Sequence, residues 1–394
     1  MKRTLATLMI VTAVQTAVFA GTAGATPVRD TMQHDADVLL SHGAPGVLAE
    51  LQTPDGSTKV RSGFGDTEAR TPVPWDANFR IGSFTKTYVS ATLLQLVGEG
   101  RISLEDPVEK WLPGVVSGNG NDGSRITVRQ LLQHTSGLPE FVLQLPWMFD
   151  EEGFQQHRDD TFAAEHLVSL AMQQPPKFEP GTSWSYSNTN FVLAGMIIQR
   201  VTGNEWQTEV QDRIIEPLGL HDTYTPRASK HIPGPHATGY QRFPDDMNSP
   251  NPTFGAPLDV TEINPTWAGA AGDIISSTAD GNRFLRALID GEVLRPAELA
   301  EMQRTVPATE MEANWPGMRY GLGLMWAPND CGGYWSHGGD IPGYKTRNGV
   351  SPDGERSVVV SINTDSLVPE PGVPAPTTDP VSEIVENALC GDGR

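Results

Sequence analysis

The chain is poor in cysteine and in positive charge, and it has no internal repeat. Cys331 and Cys390 are its two cysteines, which leaves room for one disulfide at most. Lys and Arg number 28 against 48 Asp and Glu, a formal net charge of −20. That balance argues against nucleic acid or an anionic membrane as partner and favours solubility. No long apolar run follows the first twenty residues, so no later segment is expected to span a bilayer. The glycine-rich patches lack a strand–helix phosphate context, and no residue cluster has metal-ligand spacing. No metal and no cofactor is therefore implied.

The first residues do carry a signal. Lys2 and Arg3 precede a largely apolar stretch, Leu5 to Ala20, and Ala23-Gly24-Ala25 offers a small-residue cleavage site. Residues 1–25 read as a secretory signal peptide, with an uncleaved anchor as the alternative. The apolar core is short for a span and is interrupted by Gln15 and threonines. The expected location is secreted, outside the cell.

Ser83-Phe84-Thr85-Lys86 places a hydroxyl and an amine three residues apart at a helix start. Asn78 to Ile81 reads as a short strand ending at Gly82. Thr85 to Val97 carries an apolar stripe and stops at Gly98-Glu99-Gly100. Positions i and i+3 share a helix face, so Lys86 can approach the Ser83 hydroxyl. A desolvated lysine can take a serine's proton, and a helix N-terminus offers free N–H groups to a developing oxyanion. Alone, such a motif also arises by chance.

Two further elements follow in order. Gly181 to Asn190 is a polar loop bearing Tyr186 and Asn188, braced by the buried helix Phe191 to Ile198. A phenol there can relay protons and an amide can orient a substrate or the lysine. The alternative is an ordinary helix-entry loop. Tyr334 to Asp340 then lies between strand-like segments at Tyr320–Trp326 and Arg356–Asn363. Gly338 and Gly339 permit close backbone approach, and His337 adds a polar group able to carry charge.

Ser-x-x-Lys, Tyr-x-Asn and His-x-Gly in this order resemble the signature of the serine β-lactamase and penicillin-binding protein family. The match resembles class C β-lactamases and the Streptomyces-type secreted D-alanyl-D-alanine carboxypeptidases. It extends through Phe79-Arg80-Ile81-Gly82-Ser83, His134-Thr135-Ser136-Gly137-Leu138, Pro217-Leu218-Gly219-Leu220 and Tyr320-Gly321-Leu322-Gly323-Leu324. The resemblance implies an α/β (α+β) fold: an antiparallel sheet flanked by helices, with a second, helix-rich subdomain. One catalytic domain over 26–394 is expected. Residues 26–101 and 258–394 would form the α/β subdomain and 102–257 the helical one, with the site in the cleft between them. Strands Gly46–Leu51 and Lys59–Gly63 should pair with C-terminal strands.

The resemblance also implies roles. Ser83 would be the acylated nucleophile, with Lys86, Tyr186, Asn188 and His337 as the other catalytic groups. The backbone N–H groups of Ser83 and Asp340 would form the oxyanion hole. Trp267, Met325, Gly338, Gly339 and Asp340 would contact substrate. Substrates would be a small peptide, a peptidoglycan stem, or an ester or amide, with β-lactams as covalent ligands. Carriers of this pattern have a matching cysteine pair, so a Cys331–Cys390 bridge would pin the C-terminal helix to the sheet; two separate thiols are the alternative.

Two positions depart from the carboxypeptidase pattern. Met325 replaces an arginine that holds the substrate's terminal carboxylate, and Gly338 and Asp340 replace threonines beside it. Lys345 or Arg347 could supply the charge if its side chain faces the cleft. The expected activity is D-alanyl-D-alanine carboxypeptidase. The alternatives are an esterase, D-amino-acid amidase or aminopeptidase, or transacylase on the same scaffold, and a non-catalytic binding protein.

Overall fold

The computed structural model describes residues 28–391 apart from 247, 248, 250, 251, 371 and 375. The signal peptide expected over 1–25 lies outside the described residues. No helix among the described residues is long and apolar enough to cross a membrane.

The frame is a nine-stranded antiparallel sheet. Its strands are β1 (Gly46–Thr53), β2 (Gly56–Gly63), β3 (Val306–Pro307), β4 (Arg319–Tyr320), β5 (Met325–Ala327), β6 (Tyr334–Ser336), β7 (Gly339–Ile341), β8 (Tyr344–Val350) and β9 (Ser357–Ile362). They run in the order β2-β1-β9-β8-β6-β5-β4-β3, with β7 also paired to β8. The sheet joins the two ends of the chain, because β1 pairs β9 with Val47 opposite Ile362. The strand at Lys59–Gly63 does not reach the C-terminal strands as expected. It turns back through Gly56 and pairs β1 at the sheet edge.

Alternation along β9 shows how the sheet is covered. Val358, Val360 and Ile362 pack on one face with Met32 and Leu39 of α1 (Val28–Ser41) and with Ile384 and Val385 of α5 (Ser382–Cys390). Val359 faces the other way, into the larger core that holds Phe84, Phe284 and Leu285. There α4 (Thr278–Ile289) lies close enough that a Cβ on Gly281 would meet Val359 Cγ2 at 3.1 Å. Both faces are therefore dry, and β1 reads as a nearly continuous apolar run rather than an alternating one.

Helix α2 (Thr85–Gly98) runs through this larger core, buried on all sides for most of its length. It packs against α3 (Asn188–Thr202), whose residues Thr189 to Ile198 are all buried. Asn78–Arg80 forms the expected strand but pairs Ile275–Ser277 in a small separate ladder. Cys331 and Cys390 are bridged, with Cα atoms 5.6 Å apart, so α5 is fastened to the segment entering β6.

Candidate active site

Gly82–Phe84 is a short 3-10 turn that feeds directly into α2. Gly82 has φ +53°, a conformation that favours glycine. The same turn is pressed against β7. A Cβ on Gly82 would lie 2.9 Å from Asp340 N, and one on Gly339 would lie 1.9 Å from Ile81 O and 2.7 Å from Ser83 N. Glycine at both places is what lets the two backbone segments meet, and it brings the amides of Ser83 and Asp340 to one spot.

Lys86 is fully buried. Its Nζ lies 2.9 Å from Ser83 Oγ, 2.8 Å from Asn188 Oδ1 and 2.6 Å from Ala271 O. The last two are acceptors. A neutral amine satisfies this cage: two N–H bonds go to Asn188 and Ala271, and the lone pair is left for the Ser83 proton. Burial pulls the Lys86 ammonium down to about 7, against the opposing charge of Glu140. The arrangement can thus activate a serine near neutral pH.

Asn188 is the first residue of α3 rather than part of the preceding loop. Glu140 holds it there. The Glu140 Oε2 atom accepts from Asn188 N at 2.6 Å and from Asn188 Nδ2 at 3.1 Å. This fixes the amide so that its oxygen faces Lys86, and it supplies a carboxylate to the N-terminus of α3. Tyr186 stands over the lysine, its ring centroid 5.0 Å from Nζ, with its phenol in hydrogen-bonding reach of Ser83. Burial pushes that phenol well above its usual range, so it stays protonated.

His337 follows β6 and is fully buried. Burial, and then the Lys86 charge, pull it down to about 3. It is a neutral imidazole, not the charged group its sequence context allowed. Its Nε2 lies 2.8 Å from Tyr320 Oη and its Nδ1 lies 2.8 Å from Gly338 O.

Ser83, Tyr186, Asn188, His337, Gly338, Gly339, Asp340 and Met325 all border one cavity of about 280 Å³. Met311, Trp315 and Met318 supply an apolar wall, and Ser382 and Val385 of α5 close the back. Trp267 is not among the bordering residues; it is buried in the helical core. Arg347 borders the cavity but is already engaged. Its Nη1 and Nη2 meet Asp340 Oδ1 and Oδ2 at 2.7 and 3.1 Å, and its Nε meets Asp379 at 2.6 Å. Lys345 joins the cluster, 2.9 Å from Asp340 and 3.4 Å from Asp365. Although desolvation opposes it, the Arg347 and Lys345 charges hold Asp340 below the usual carboxylate range.

Sequence reading gave no role to Glu140, His134, Tyr320 or Ala271 O, and it did not pair Arg347 and Lys345 with Asp340. The hairpin offered one signal: β7 and β8 place Asp340 opposite Lys345, with Arg347 two residues on along the same face.

A buried amine beside a serine at a helix start, facing a glycine-bearing strand across a sheet-and-helix cleft, defines a serine hydrolase of the penicillin-binding kind. The sequence model of the family described as Beta-lactamase matches residues 24–377, and the chain belongs to that family. A D-stereospecific amidohydrolase from Streptomyces sp. is 38% identical, with a TM-score of 0.81 over 92% of this chain and 98% of that one. The D-amino acid amidase from Ochrobactrum anthropi SV3, complexed with L-phenylalanine amide, is 27% identical, with a TM-score of 0.76 over 92% and 97%. Penicillin-binding protein 4* of Bacillus subtilis (strain 168) is 28% identical over 72% of this chain. The chain spans 60% of that relative's length.

Proposed function

We propose that this protein is an acyl-enzyme amidohydrolase for D-configured amides or esters with an apolar side chain and a neutral or cationic leaving group. The carrying observation is the state of Arg347. Its guanidinium is bonded by Asp340 and Asp379, so among the described residues bordering the cavity no cation is left free for a substrate's terminal carboxylate. Asp340 takes the place that such a carboxylate would need. Unpaired anions are costly to desolvate, so a free-acid leaving group is disfavoured. The apolar wall of Met311, Trp315, Met318 and Met325 favours a hydrophobic side chain. The D-stereospecificity of the amidohydrolase and the amidase above supports the configuration.

In this reading Ser83 Oγ attacks the carbonyl carbon while its proton passes to the neutral Lys86 amine. The oxyanion is received by the N–H groups of Ser83 and Asp340. Lys86 then returns the proton to the leaving nitrogen, with the protonated Tyr186 phenol donating to the same region. The C–N bond breaks, and water later releases the acid from Ser83. Asn188 holds the lysine and the substrate amide.

The test compares kcat/KM for D-phenylalanine amide with that for an acyl-D-Ala-D-Ala peptide as free acid and as methyl amide. The amides should be preferred roughly tenfold or more, the scale of one charge-assisted contact. Asp340→Asn should narrow that gap by freeing Arg347. A strong preference of the unaltered enzyme for the free acid would reinstate the carboxypeptidase reading.

A further inference from the structure

A chain of buried groups runs behind the cavity, and its hydrogens can be assigned from its ends. His134, Tyr320 and His337 are all fully buried. His134 Nδ1 is approached by Ser187 N at 3.3 Å and by Asn190 Nδ2 at 3.0 Å. The backbone N–H can only donate. The Asn190 amide is oriented by Ser136, whose hydroxyl donates to Asn190 Oδ1 at 2.6 Å while accepting from Leu138 N at 3.1 Å. Two donors therefore point at His134 Nδ1, and the proton of that neutral ring sits on Nε2. Nε2–H faces Tyr320 Oη at 3.2 Å and donates to it.

The other end gives the same direction. Gly338 O can only accept, so His337 Nδ1 carries the proton at that 2.8 Å contact. His337 Nε2 is then an acceptor, and Tyr320 donates to it at 2.8 Å. Every link agrees: His134 to Tyr320 to His337 to Gly338 O.

We propose that His134 and Tyr320 are positioning residues that hold His337 as a neutral imidazole of one tautomer, so that a one-way hydrogen-bond chain ties the Tyr186–Asn188 segment to the strand bearing Asp340. Protonating His337 would place a hydrogen on Nε2 and turn the Tyr320 hydroxyl towards His134. The His134 proton would then have to move to Nδ1, where Ser187 N–H and the Asn190 amide already point. Reversal is blocked at that end. The surrounding charges act in the same sense. Burial disfavours a cation at both rings, and the Lys86 charge from α2 adds to this at each, with Arg347 from β8 adding at His337. Asp340 is engaged by Arg347 and Lys345, and the Tyr186 phenol is neutral.

The chain fixes geometry without moving charge. One end bonds the Ser187 amide, next to Tyr186 and Asn188. The other bonds the Gly338 carbonyl, whose following residue, Gly339, lies against Ser83 N. His337 is thus excluded as an acid or base in the reaction, and the chain should serve the transition state more than substrate binding.

The experiment is long-range ¹⁵N–¹H correlation NMR on the histidine-labelled protein, followed by kinetics of variants. His134 should appear as the Nε2–H tautomer and His337 as the Nδ1–H tautomer, both neutral between about pH 5 and 8. Either ring in the opposite tautomer, or cationic in that range, overturns the proposal. Tyr320→Phe should lower kcat roughly tenfold or more with a smaller change in KM, as expected for one buried group left unpaired. His134→Gln, whose amide still donates towards Tyr320, should retain more kcat than His134→Leu. Unchanged kcat in Tyr320→Phe, or equal loss in the two His134 variants, also overturns it. The kinetic arm rests on the acyl-transfer reading above, whereas the tautomers do not. A protein that turns over no amide or ester would defeat that reading and leave the spectra to decide the chain.

Discussion

Lys86, which bonds Ser83 and Asn188, and Arg347, on β8, serve one cavity. Desolvation works against both charges, yet their states differ. Lys86 touches a hydroxyl, a side-chain amide and a backbone carbonyl, and its proton is loosely held, near pH 7. Arg347 touches two carboxylates, and its proton is held more firmly than in water. Burial alone sets neither state. What decides is whether the contacting oxygens are neutral or anionic. The helical wall therefore holds a base, and the sheet wall holds a saturated ion cluster.

Replacing each cation by an apolar isostere should separate the two walls most sharply. Lys86→Met should lower kcat/KM by about 10³-fold, within the range for a lost acid–base group. It should lower the melting temperature only slightly, because the donor lost to Asn188 and Ala271 is offset by removing a buried amine that has no contacting anion when charged. Pre-steady-state acylation and a thermal melt on the same sample check both halves. Arg347→Met should do the reverse. It strands the buried Asp379 and leaves Asp340 with Lys345 alone, costing about 3 kcal/mol of stability, read from denaturant unfolding. A stable Arg347→Met protein would break the comparison.

The smallest effect is a shift in pH dependence. The proposed mechanism needs the neutral amine, so kcat/KM should rise with pH through about 7 and be lost as pH falls through that value. Glu140 raises the Lys86 value, so Glu140→Gln should move this acid limb to lower pH. A limb that stays in place would mean that Glu140 acts solely by orienting Asn188.

The lysine wall was the legible one. Ser83 and Lys86 are linked by helix spacing, and the two glycines after His337 announce a close backbone approach. Apolar spacing and a glycine stop give the helix at Thr85–Val97, whereas the second helix is legible only over Phe191–Ile198 and in fact begins at Asn188, inside the stretch that reads as a loop. The arginine wall was not legible in the same way. Asp340 and Arg347 meet through strand register, and Asp379 arrives from a proline-rich linker with no periodicity to place it. Glu140 and Ala271 O are brought to the lysine by folding of distant segments, and a backbone carbonyl leaves no residue-type signal at all. Tyr320 looked like part of a strand, which it is; its hydroxyl gains meaning only once His134 and His337 flank it.

The pairing of β1 with β9 has a consequence for biosynthesis. A strand made among the first described residues waits for a partner more than three hundred residues further along the chain. Helix α1 waits longer still, for α5, where Asn387 Nδ2 reaches Asp35 at 2.9 Å. Contacts of such sequence separation form late and slowly. Ser83 and Lys86 are made well before the strand that faces them and the helix that borders the cavity, which lie more than 250 residues further on. A polypeptide that stops short of those segments thus carries the reactive pair without a cleft around it, and the site is assembled only after they have been made.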